Sequence, residues 1–480
     1  MQERLKKFRW VKYVVYVWAI RLGFGAFATL IPGGIGGIYH YFVAKDKSKI
    51  KVPSSIGEIK YNQEEFNPIS MIDSAVPGLI RDIPVLSYVE NINLIREFNN
   101  LKAPNNFHIY AKSSNSSTVY GYYDTNARWV DKYNMSSPYT LIPIHQLDIF
   151  ASCSQGECNR SSASNWYLTQ PLLDPLNNEL VQSVCPLMLD IVASLISPTQ
   201  SSPSMNLWIT GTTNITTKLH YDVADNFLIQ LSGNKRVMIV SPINYPRYLS
   251  YPILHPEWRH IIRSNSSDVC TSDVIETGIW IVELSPGDML YIPPYYMHTT
   301  ISGTNSISLN LWMNSKYSAL YTKVVQTLPL PYSLDDPVGL KLASLGSFTK
   351  QVILLFEGNY EEFISIMKNK YQDTRDDYDY KCNPWKGLGD LPGDGVCNTV
   401  HVSLGANTKI TRRVATLFHT FLQQKFVPIS VVHIMLLDYV EELLAVVYED
   451  TSPCVLLNFV NTCVPTKVCK VGCTNNKENN

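Results

Sequence analysis

Two histidines and one aspartate stand in a pattern that suits a metal ion. His220 and Asp222 are two residues apart, so on an extended chain both side chains point to the same side. His298 comes much later, after a turn at Pro286-Gly287-Asp288 and a short apolar run. Two histidines and one carboxylate are the ligand set of the non-haem Fe(II) oxygenases, which leave coordination positions open for other molecules. We therefore interpret His220, Asp222 and His298 as the ligands of one metal ion.

A lysine between these ligands in the sequence indicates a second function for the same site. Lys235 begins an apolar run that directly follows a Ser-Gly-Asn turn. A lysine inside a partly dry β-barrel needs an anionic partner, and a dicarboxylate would supply one. Two plainer interpretations stay open: Lys235 as a solvated turn residue, and His220 as a hydrogen-bonded surface histidine.

The segment around these residues has the pattern of short strands. Apolar runs separated by Gly and Pro turns are typical of a sandwich or jelly roll. The predicted strands are Asn206–Thr210, Asn226–Leu231, Lys235–Val240, Ile279–Leu284, Asp288–Ile292 and Ser306–Met313. After Pro331 the periodicity becomes helical. It covers Leu340–Lys370 and Ile410–Tyr448, and Pro428 should divide the second region.

The spacing of these motifs resembles the iron-binding core of the JmjC/cupin-like dioxygenases. The matching motifs are Thr217-x-x-His220-Tyr221-Asp222-x-x-x-Asn226-Phe227, Gly233-x-Lys235-Arg236, Pro286-Gly287-Asp288-x-Leu290-Tyr291-Ile292-Pro293 and Asn310-Leu311-Trp312. The resemblance implies a mainly β fold with helical additions, namely a double-stranded β-helix (jelly roll, JmjC/cupin-like) followed by a C-terminal helical region.

The resemblance also implies an activity and a set of site residues. The activity is that of an Fe(II)- and 2-oxoglutarate-dependent oxygenase that consumes O2 and hydroxylates a protein side chain. The implied residues are the metal ligands His220, Asp222 and His298, Lys235 for the distal carboxylate of 2-oxoglutarate with Thr217 as its hydroxyl partner, and the polar pocket residues Asn226 and Asn310. For the two asparagines, hydrogen bonding at strand ends is the alternative. The chain departs from the family pattern at Lys218, where proline is usual, and at Met297, where an aromatic residue commonly precedes the distal histidine.

Two other classes of function remain open. The domain could be a non-catalytic JmjC-fold binding module, or a cupin enzyme that uses a metal without 2-oxoglutarate, in which case Lys235 would be unnecessary. The resemblance implies a protein or peptide substrate, and with a formal net charge of −1 we expect no nucleic-acid partner. The C-terminal helices are similar in kind to the dimerisation helices of the family, so a homodimer is a further expectation. Hydroxylation and demethylation are not distinguished by the sequence.

The amino terminus predicts a membrane segment. A basic stretch over residues 1–12 precedes an apolar stretch, Tyr13–Val43, which is long enough to cross a bilayer and has the order of a signal anchor or signal peptide. Ten cysteines in loop-like contexts are compatible with disulfides. We expect a single-pass membrane protein with its body in the secretory lumen, the alternative being a cytosolic enzyme. The predicted divisions are 1–45 (membrane anchor or signal segment), 46–64 (linker), 65–315 (dioxygenase domain), 316–450 (helical region) and 451–480 (cysteine-containing tail).

Overall fold

The computed structural model contains strands and helices in the order that the sequence predicts. It describes residues 55–62, 67–85, 110–113, 117–127, 129–130, 135–143, 165–171, 204–211, 214–262, 278–327, 330–356, 360–377, 404–422, 427–447 and 453–464. The strands in these ranges are β1 Gly57–Lys60, β2 Gly78–Arg81, β3 Tyr110–Ser113, β4 Val119–Tyr120, β5 Thr140–Pro143, β6 Trp166–Pro171, β7 Ser204–Thr210, β8 Ile215–Thr217, β9 His220–Tyr221, β10 Asp225–Ser232, β11 Lys235–Val240, β12 Ile279–Leu284, β13 Met289–Ile292, β14 Met297–Ser302 and β15 Ile307–Met313. The helices are α1 Pro68–Ser74, α2 Lys316–Thr327, α3 Val338–Phe356, α4 Tyr360–Asp377, α5 Leu404–Leu422, α6 Ile429–Val447 and α7 Pro453–Cys463.

The strands form two sheets. The larger has the order β1-β2-β13-β10-β15-β7-β6-β3-β5, and the smaller has the order β12-β11-β14-β8-β4, with β9 also paired to β14. Consecutive strands such as β10 and β11, or β13 and β14, lie in different sheets, so the chain alternates between the two layers as a jelly roll does. This confirms the predicted fold class of a β domain with helical additions.

Residue alternation explains which strand faces border the interior. In β12, Trp280, Val282 and Leu284 are buried, whereas the residues between them are more exposed. Its partner β11 turns Arg236 outward to a surface ion pair with Glu283. The predicted strands match β7, β10, β11, β12, β13 and β15 to within two residues at each end. The apolar runs therefore predict the strands, and in β12 the alternation also predicts the face that is buried.

The helical region shares a hydrophobic core with the β domain. Helix α6 is buried over almost its whole length, and its Leu436 belongs to the same cluster as Tyr221 and Met238 of the strands. Pro428 directly precedes α6, as predicted, because proline lacks the N–H that a helix interior needs. Because α6 packs inside the chain, it does not offer a surface for the predicted homodimer.

The structure adds detail to the predicted C-terminal tail. Helix α7 lies within residues 451–480 and packs against α4, and its Cys454 is disulfide-bonded. In the described part of the chain, one segment, Val338–Leu355 of α3, is long and apolar enough to cross a membrane, and half of it is buried in the protein. A core helix meets the same criterion. The predicted membrane segment Tyr13–Val43 lies outside the described residues.

Candidate metal and cosubstrate site

The structure brings the three predicted metal ligands together. His220 of β9 and His298 of β14 are directly opposite each other in an antiparallel pair, and their ring centroids are 4.4 Å apart. Asp222 follows β9, and its Oδ2 atom lies 3.7 Å from His298 Nε2. One ligand atom from each residue can be chosen so that all three lie within 4.8 Å of one another. The pairing of β9 with β14 therefore provides the contact that the sequence spacing leaves to the fold.

Backbone hydrogen bonds orient both imidazoles. His220 Nδ1 lies 2.7 Å from the carbonyl oxygen of Lys218, and His298 Nδ1 lies 3.1 Å from that of Tyr296. Because a carbonyl oxygen can accept but not donate, each Nδ1 carries the proton and each Nε2 keeps a free lone pair. Histidine ligands of metals are commonly fixed in this way by their second ring nitrogen.

Burial and neighbouring charges set the charge states of His220 and Asp222. Burial and the neighbouring His298 lower the pKa of His220 to about 4, so this imidazole is neutral at neutral pH. For Asp222, burial acts to raise the pKa, but the two histidines and Arg259 outweigh it and the net pKa is lowered. A neutral imidazole and an ionised carboxylate are the forms in which these side chains bind a metal.

The ligands line a cavity of about 280 Å³ between the two sheets. All seven site residues predicted from the sequence lie on its wall: Thr217, His220, Asp222, Asn226, Lys235, His298 and Asn310. Aromatic residues supply much of the remaining lining, namely Tyr120, Tyr122, Tyr167, Trp208, Trp258 and Trp312. Mostly apolar walls with a few convergent polar groups are typical of small-molecule sites.

Lys235 is a buried cation in this cavity. Its side chain extends from the start of β11, the residue is 3% exposed, and its Nζ atom donates to Ser308 Oγ at 2.6 Å. Burial lowers the pKa of Lys235 to about 7. Among the described residues no carboxylate lies within 4.0 Å of this ammonium. A buried lysine of this kind fits an anionic ligand that would restore its full charge.

Thr217 lies on β8, beside the strand that carries His298. Its Oγ1 atom accepts a hydrogen bond from the Thr300 backbone N–H at 2.8 Å and lies 3.2 Å from Thr300 Oγ1. The hydroxyl is thus held on the cavity wall by β14. A serine or threonine hydroxyl can both donate and accept, so Thr217 retains the capacity to donate to an anion.

Asn226 and Asn310 form a hydrogen-bonded chain that ends at a predicted ligand. Trp208 Nε1 donates to Asn310 Oδ1 at 2.9 Å, and Asn310 Nδ2 donates to Asn226 Oδ1 at 3.2 Å. Asn226 Nδ2 in turn approaches Asp222 Oδ2 at 3.5 Å. Hydrogen bonds of this kind restrict how a ligand carboxylate can turn. The two asparagines therefore act on the position of Asp222 as well as on the polarity of the cavity.

The loop from Tyr251 to Ile262 contributes residues that the sequence interpretation did not assign to the site. Trp258, Arg259 and His260 all line the cavity. Arg259 has a left-handed backbone with φ of 77°, a conformation that non-glycine residues hold only when their surroundings stabilise it. Its guanidinium lies between the rings of Tyr122 and Trp258, at 5.5 and 5.1 Å, and 3.5 Å from Asp222 Oδ1. An arginine next to a tryptophan in a loop carries no spacing signal, so only the fold reveals this contact.

His260 is close to the ligands without being available as one. Its ring centroid is 5.5 Å from that of His220. Both of its ring nitrogens are engaged, because Nδ1 lies 3.1 Å from the Glu257 carbonyl oxygen and Nε2 accepts from the Tyr122 N–H at 3.2 Å. Gly121 leaves the room for this arrangement, since a Cβ atom there would lie 2.8 Å from His260 Nε2.

The two departures from the family pattern have distinct surroundings. Lys218 Nζ forms an ion pair of 2.5 Å with Glu257 Oε1, which ties the segment before His220 to the 251–262 loop. Met297 is fully buried in the large core cluster shared with the helices. Neither side chain is on the wall of the cavity, so both departures leave the ligand set unchanged.

Comparison with known proteins places the same segment in a family. The profile of the cupin-like domain matches residues 143–319. The human tRNA wybutosine-synthesizing protein 5 is 30% identical over 124 residues, which are 26% of this chain and 35% of that protein. The lysine-specific demethylase JMJ30 of Arabidopsis thaliana is 31% identical over 159 residues, which are 31% of this chain and 34% of that protein. The chain thus spans about a third of the length of these curated relatives.

Solved structures give a looser match. YcfD, a ribosomal oxygenase from Escherichia coli, superposes with a TM-score of 0.29 and 13% identity, covering 52% of each chain. A superposition this loose does not define a fold, and the assignment depends on the domain profile and on the two sheets described above. Residues 143–319 match the cupin-like domain, and the two-layer β architecture of the described strands resembles that of the JmjC/cupin-like proteins.

Proposed function

We propose that the protein is an Fe(II)- and 2-oxoglutarate-dependent oxygenase that hydroxylates a protein side chain. One observation carries the proposal: a cluster of two histidines and one aspartate shares a cavity with a buried lysine that has no carboxylate partner among the described residues. The cluster fits a metal ion with open coordination positions, and the lysine fits the second carboxylate of a dicarboxylate.

The donor set suits a divalent metal such as Fe(II), because both imidazoles are fixed through Nδ1 and two histidines with one carboxylate are the ligand set of Fe(II) oxygenases. His220, Asp222 and His298 would hold the metal, which supplies the activation of O2 that is coupled to the decarboxylation of 2-oxoglutarate. The overall reaction converts R–H, O2 and 2-oxoglutarate into R–OH, succinate and CO2. The protein binds and orients the reactants and excludes water from the site.

The residues around the metal position divide this work. Lys235 holds the distal carboxylate of 2-oxoglutarate, and Thr217 offers that carboxylate a hydroxyl. Asn226 and Asn310 orient Asp222 through the hydrogen-bonded chain from Trp208. The aromatic rings along the cavity exclude water, which strengthens each of these electrostatic interactions.

Three rival functions make different predictions. A non-catalytic binding module would bind a partner without consuming 2-oxoglutarate. A cupin enzyme that uses a metal without 2-oxoglutarate would leave the buried Lys235 with only its hydrogen bond to Ser308 and no anionic partner among the described residues. An RNA substrate is favoured by the names of the relatives that synthesise tRNA wybutosine. However, a formal net charge of −1 does not favour a surface that neutralises many phosphates.

The testing experiment is a turnover assay on the purified full-length protein. Succinate and CO2 are measured with Fe(II), 2-oxoglutarate and O2, with each omitted in turn and with pooled cellular peptides added. We expect slow production of succinate without peptide and faster production with it, together with peptides that gain one oxygen atom. Binding of 2-oxoglutarate without any turnover would favour the binding module, and turnover without oxygen gain on a peptide would exclude protein hydroxylation.

The location and assembly of the protein remain proposals of the same kind. A lumenal body anchored by Tyr13–Val43 agrees with the disulfide-bonded Cys454, because disulfides persist in oxidising compartments. Protection of the body from protease in intact microsomes supports this topology, and a protease-accessible body indicates a cytosolic enzyme. A homodimer through the C-terminal helices is tested by the mass of the purified protein in solution.

A further inference from the structure

Among the described residues, the cavity wall carries two more positive charges than the proposed chemistry uses. The described charged residues on its wall are Lys112, Lys235, Arg259 and Asp222. A divalent metal with Asp222, a 2-oxoglutarate dianion and a protonated Lys235 sum to zero charge. Arg259 and Lys112 are left over: Arg259 faces Asp222 at 3.5 Å, whereas Lys112 faces no carboxylate among the described residues.

Lys112 is held on the wall but is incompletely satisfied. Its Nζ atom donates to the Gly121 carbonyl oxygen at 3.1 Å and lies 5.4 Å from the centroid of the Tyr139 ring. An ammonium group has three donors, and with one used by Gly121 two remain for further acceptors. Burial lowers the pKa of Lys112, and no carboxylate among the described residues lies within 4.0 Å of its Nζ atom. An anion at this point would stabilise the charged form.

The strand register places Lys112 at the rim of the cavity. On β3 it is opposite Tyr167 of β6 on one side and opposite Leu141 of β5 on the other. Tyr167 is 4% exposed, whereas Leu141 is 62% exposed. Since residues opposite each other share a face of the sheet, the wall runs from the interior at Tyr167, past Lys112, to solvent at Leu141. A substrate that enters from solvent would meet Lys112 before the metal ligands.

Lys235 and the backbone contact of Lys112 lie on opposite sides of β14, the strand that carries His298. Lys235 is on β11, His298 is on β14, and Lys112 contacts Gly121 at the end of β4. Because β11 and β4 are the second and last strands in the order β12-β11-β14-β8-β4, they are separated by about 14 Å at about 4.8 Å per strand. A short dicarboxylate held between the metal and Lys235 points away from Lys112.

We propose that Lys112 is a specificity-determining residue that binds an acidic side chain of the peptide substrate, next to the residue that is hydroxylated. This inference depends on the proposed function, because it assumes a peptide in the cavity. Exposed Leu141 borders the same position and offers an apolar contact to the neighbouring residue of that peptide. A single ammonium suits one carboxylate, whereas RNA binding draws on many phosphate contacts.

The experiment measures peptide selection by the full-length protein. The protein is loaded with Fe(II) and 2-oxoglutarate without oxygen, so that nothing turns over, and is mixed with a synthetic library of unphosphorylated peptides. Retained peptides are then sequenced. We compare the wild type with Lys112→Met, with the charge-conserving Lys112→Arg, and with Lys60→Met as a matched control at an exposed lysine. Thermal unfolding and turnover of 2-oxoglutarate without peptide are measured for every variant.

The wild type should enrich Asp or Glu at one position. In Lys112→Met that enrichment should fall about tenfold, the effect of one hydrogen bond from a charged donor, while Lys112→Arg retains it and Lys60→Met is unchanged. Turnover of 2-oxoglutarate without peptide should be the same in all four proteins.

Other outcomes overturn the inference. A wild type that consumes 2-oxoglutarate but shows no acidic preference refutes the role of Lys112 and leaves the proposed function standing. A raised KM for 2-oxoglutarate in Lys112→Met would place this lysine in the cosubstrate site instead. Retention of a random single-stranded RNA that depends on Lys112 excludes an acidic peptide. A wild type that neither binds nor consumes 2-oxoglutarate refutes the proposed function itself, whatever the peptides show.

Discussion

Replacing Lys235 with methionine should weaken the binding of 2-oxoglutarate strongly and leave the metal site intact. Methionine keeps much of the volume and the apolar contacts of the lysine stem but removes the charge. Lys235 is 3% exposed, so a carboxylate bound to it would lose its partner in a dry site. Removing one partner of a buried ion pair costs about 3–5 kcal/mol. Since each 1.4 kcal/mol is about tenfold in affinity, we expect KM for 2-oxoglutarate to rise at least 10²-fold.

Two variants separate the charge of Lys235 from its surroundings. Ser308→Ala removes the hydroxyl that accepts from Lys235 at 2.6 Å but leaves the charge, so it should cost about 1 kcal/mol, or about fivefold in KM. Arg236→Met removes the neighbouring charge, which points outward to Glu283, and should change KM by less than about twofold. Metal content per chain should be equal in all of these proteins.

The assay is succinate production as a function of 2-oxoglutarate concentration, with bound iron measured in parallel. An unchanged KM in Lys235→Met would refute the assignment of this lysine and favour the cupin enzyme that uses no 2-oxoglutarate. Loss of both iron binding and 2-oxoglutarate binding would show that the variant disturbs the fold of β11. In that case the smaller effect of Ser308→Ala decides between a disturbed strand and the loss of the Lys235 charge.

Three further predictions concern charge. Lys235 binds a dianion only when protonated, and its pKa is about 7. The affinity for 2-oxoglutarate should therefore fall as the pH rises above 7, by up to about tenfold per pH unit. The affinity of the Lys235→Met variant, measured over the same pH range, should show no such fall. Lys218→Met leaves the buried Glu257 carboxylate unpaired and should destabilise the protein by about 1–3 kcal/mol in chemical denaturation. Adding Glu257→Gln to this variant should restore part of the lost stability. Equal stability of the single and the double variant would contradict the ion pair. Lys370→Met removes the cation that lies 2.8 Å from fully buried Glu441 and should lower the free energy of unfolding by about 3–5 kcal/mol. A decrease below about 1 kcal/mol would mean that water reaches Glu441.

The predictable part of the site is the part that a strand period controls. His220 and Asp222 are two residues apart, and the alternation of a strand puts both on one face whatever else the fold does. His298 could be assigned because a turn and an apolar run precede it, which makes it the next inward position on β14. Pro428 likewise marks the beginning of α6 for a covalent reason, the missing N–H.

The unpredicted part depends on contacts between distant segments. Lys112 reaches the cavity because β3 is hydrogen-bonded to β6 and because Gly121 accepts from it, and no local pattern encodes either contact. Arg259 is placed by a left-handed backbone and two aromatic rings. Helix α6 has an apolar sequence that is equally compatible with a dimer interface, and only the packing shows that it is buried inside the chain.

The most direct test of the account is the amount of iron and 2-oxoglutarate bound per chain, in the wild type and in the single variants His298→Ala and Lys235→Met. Equilibrium dialysis without oxygen measures both ligands on the same sample. The account predicts one iron and one 2-oxoglutarate on the wild type, loss of iron in His298→Ala, and loss of 2-oxoglutarate with retention of iron in Lys235→Met. Iron binding that survives in His298→Ala, or a wild type that binds iron but no 2-oxoglutarate, would contradict the central claim that this cavity is a two-histidine, one-carboxylate oxygenase site.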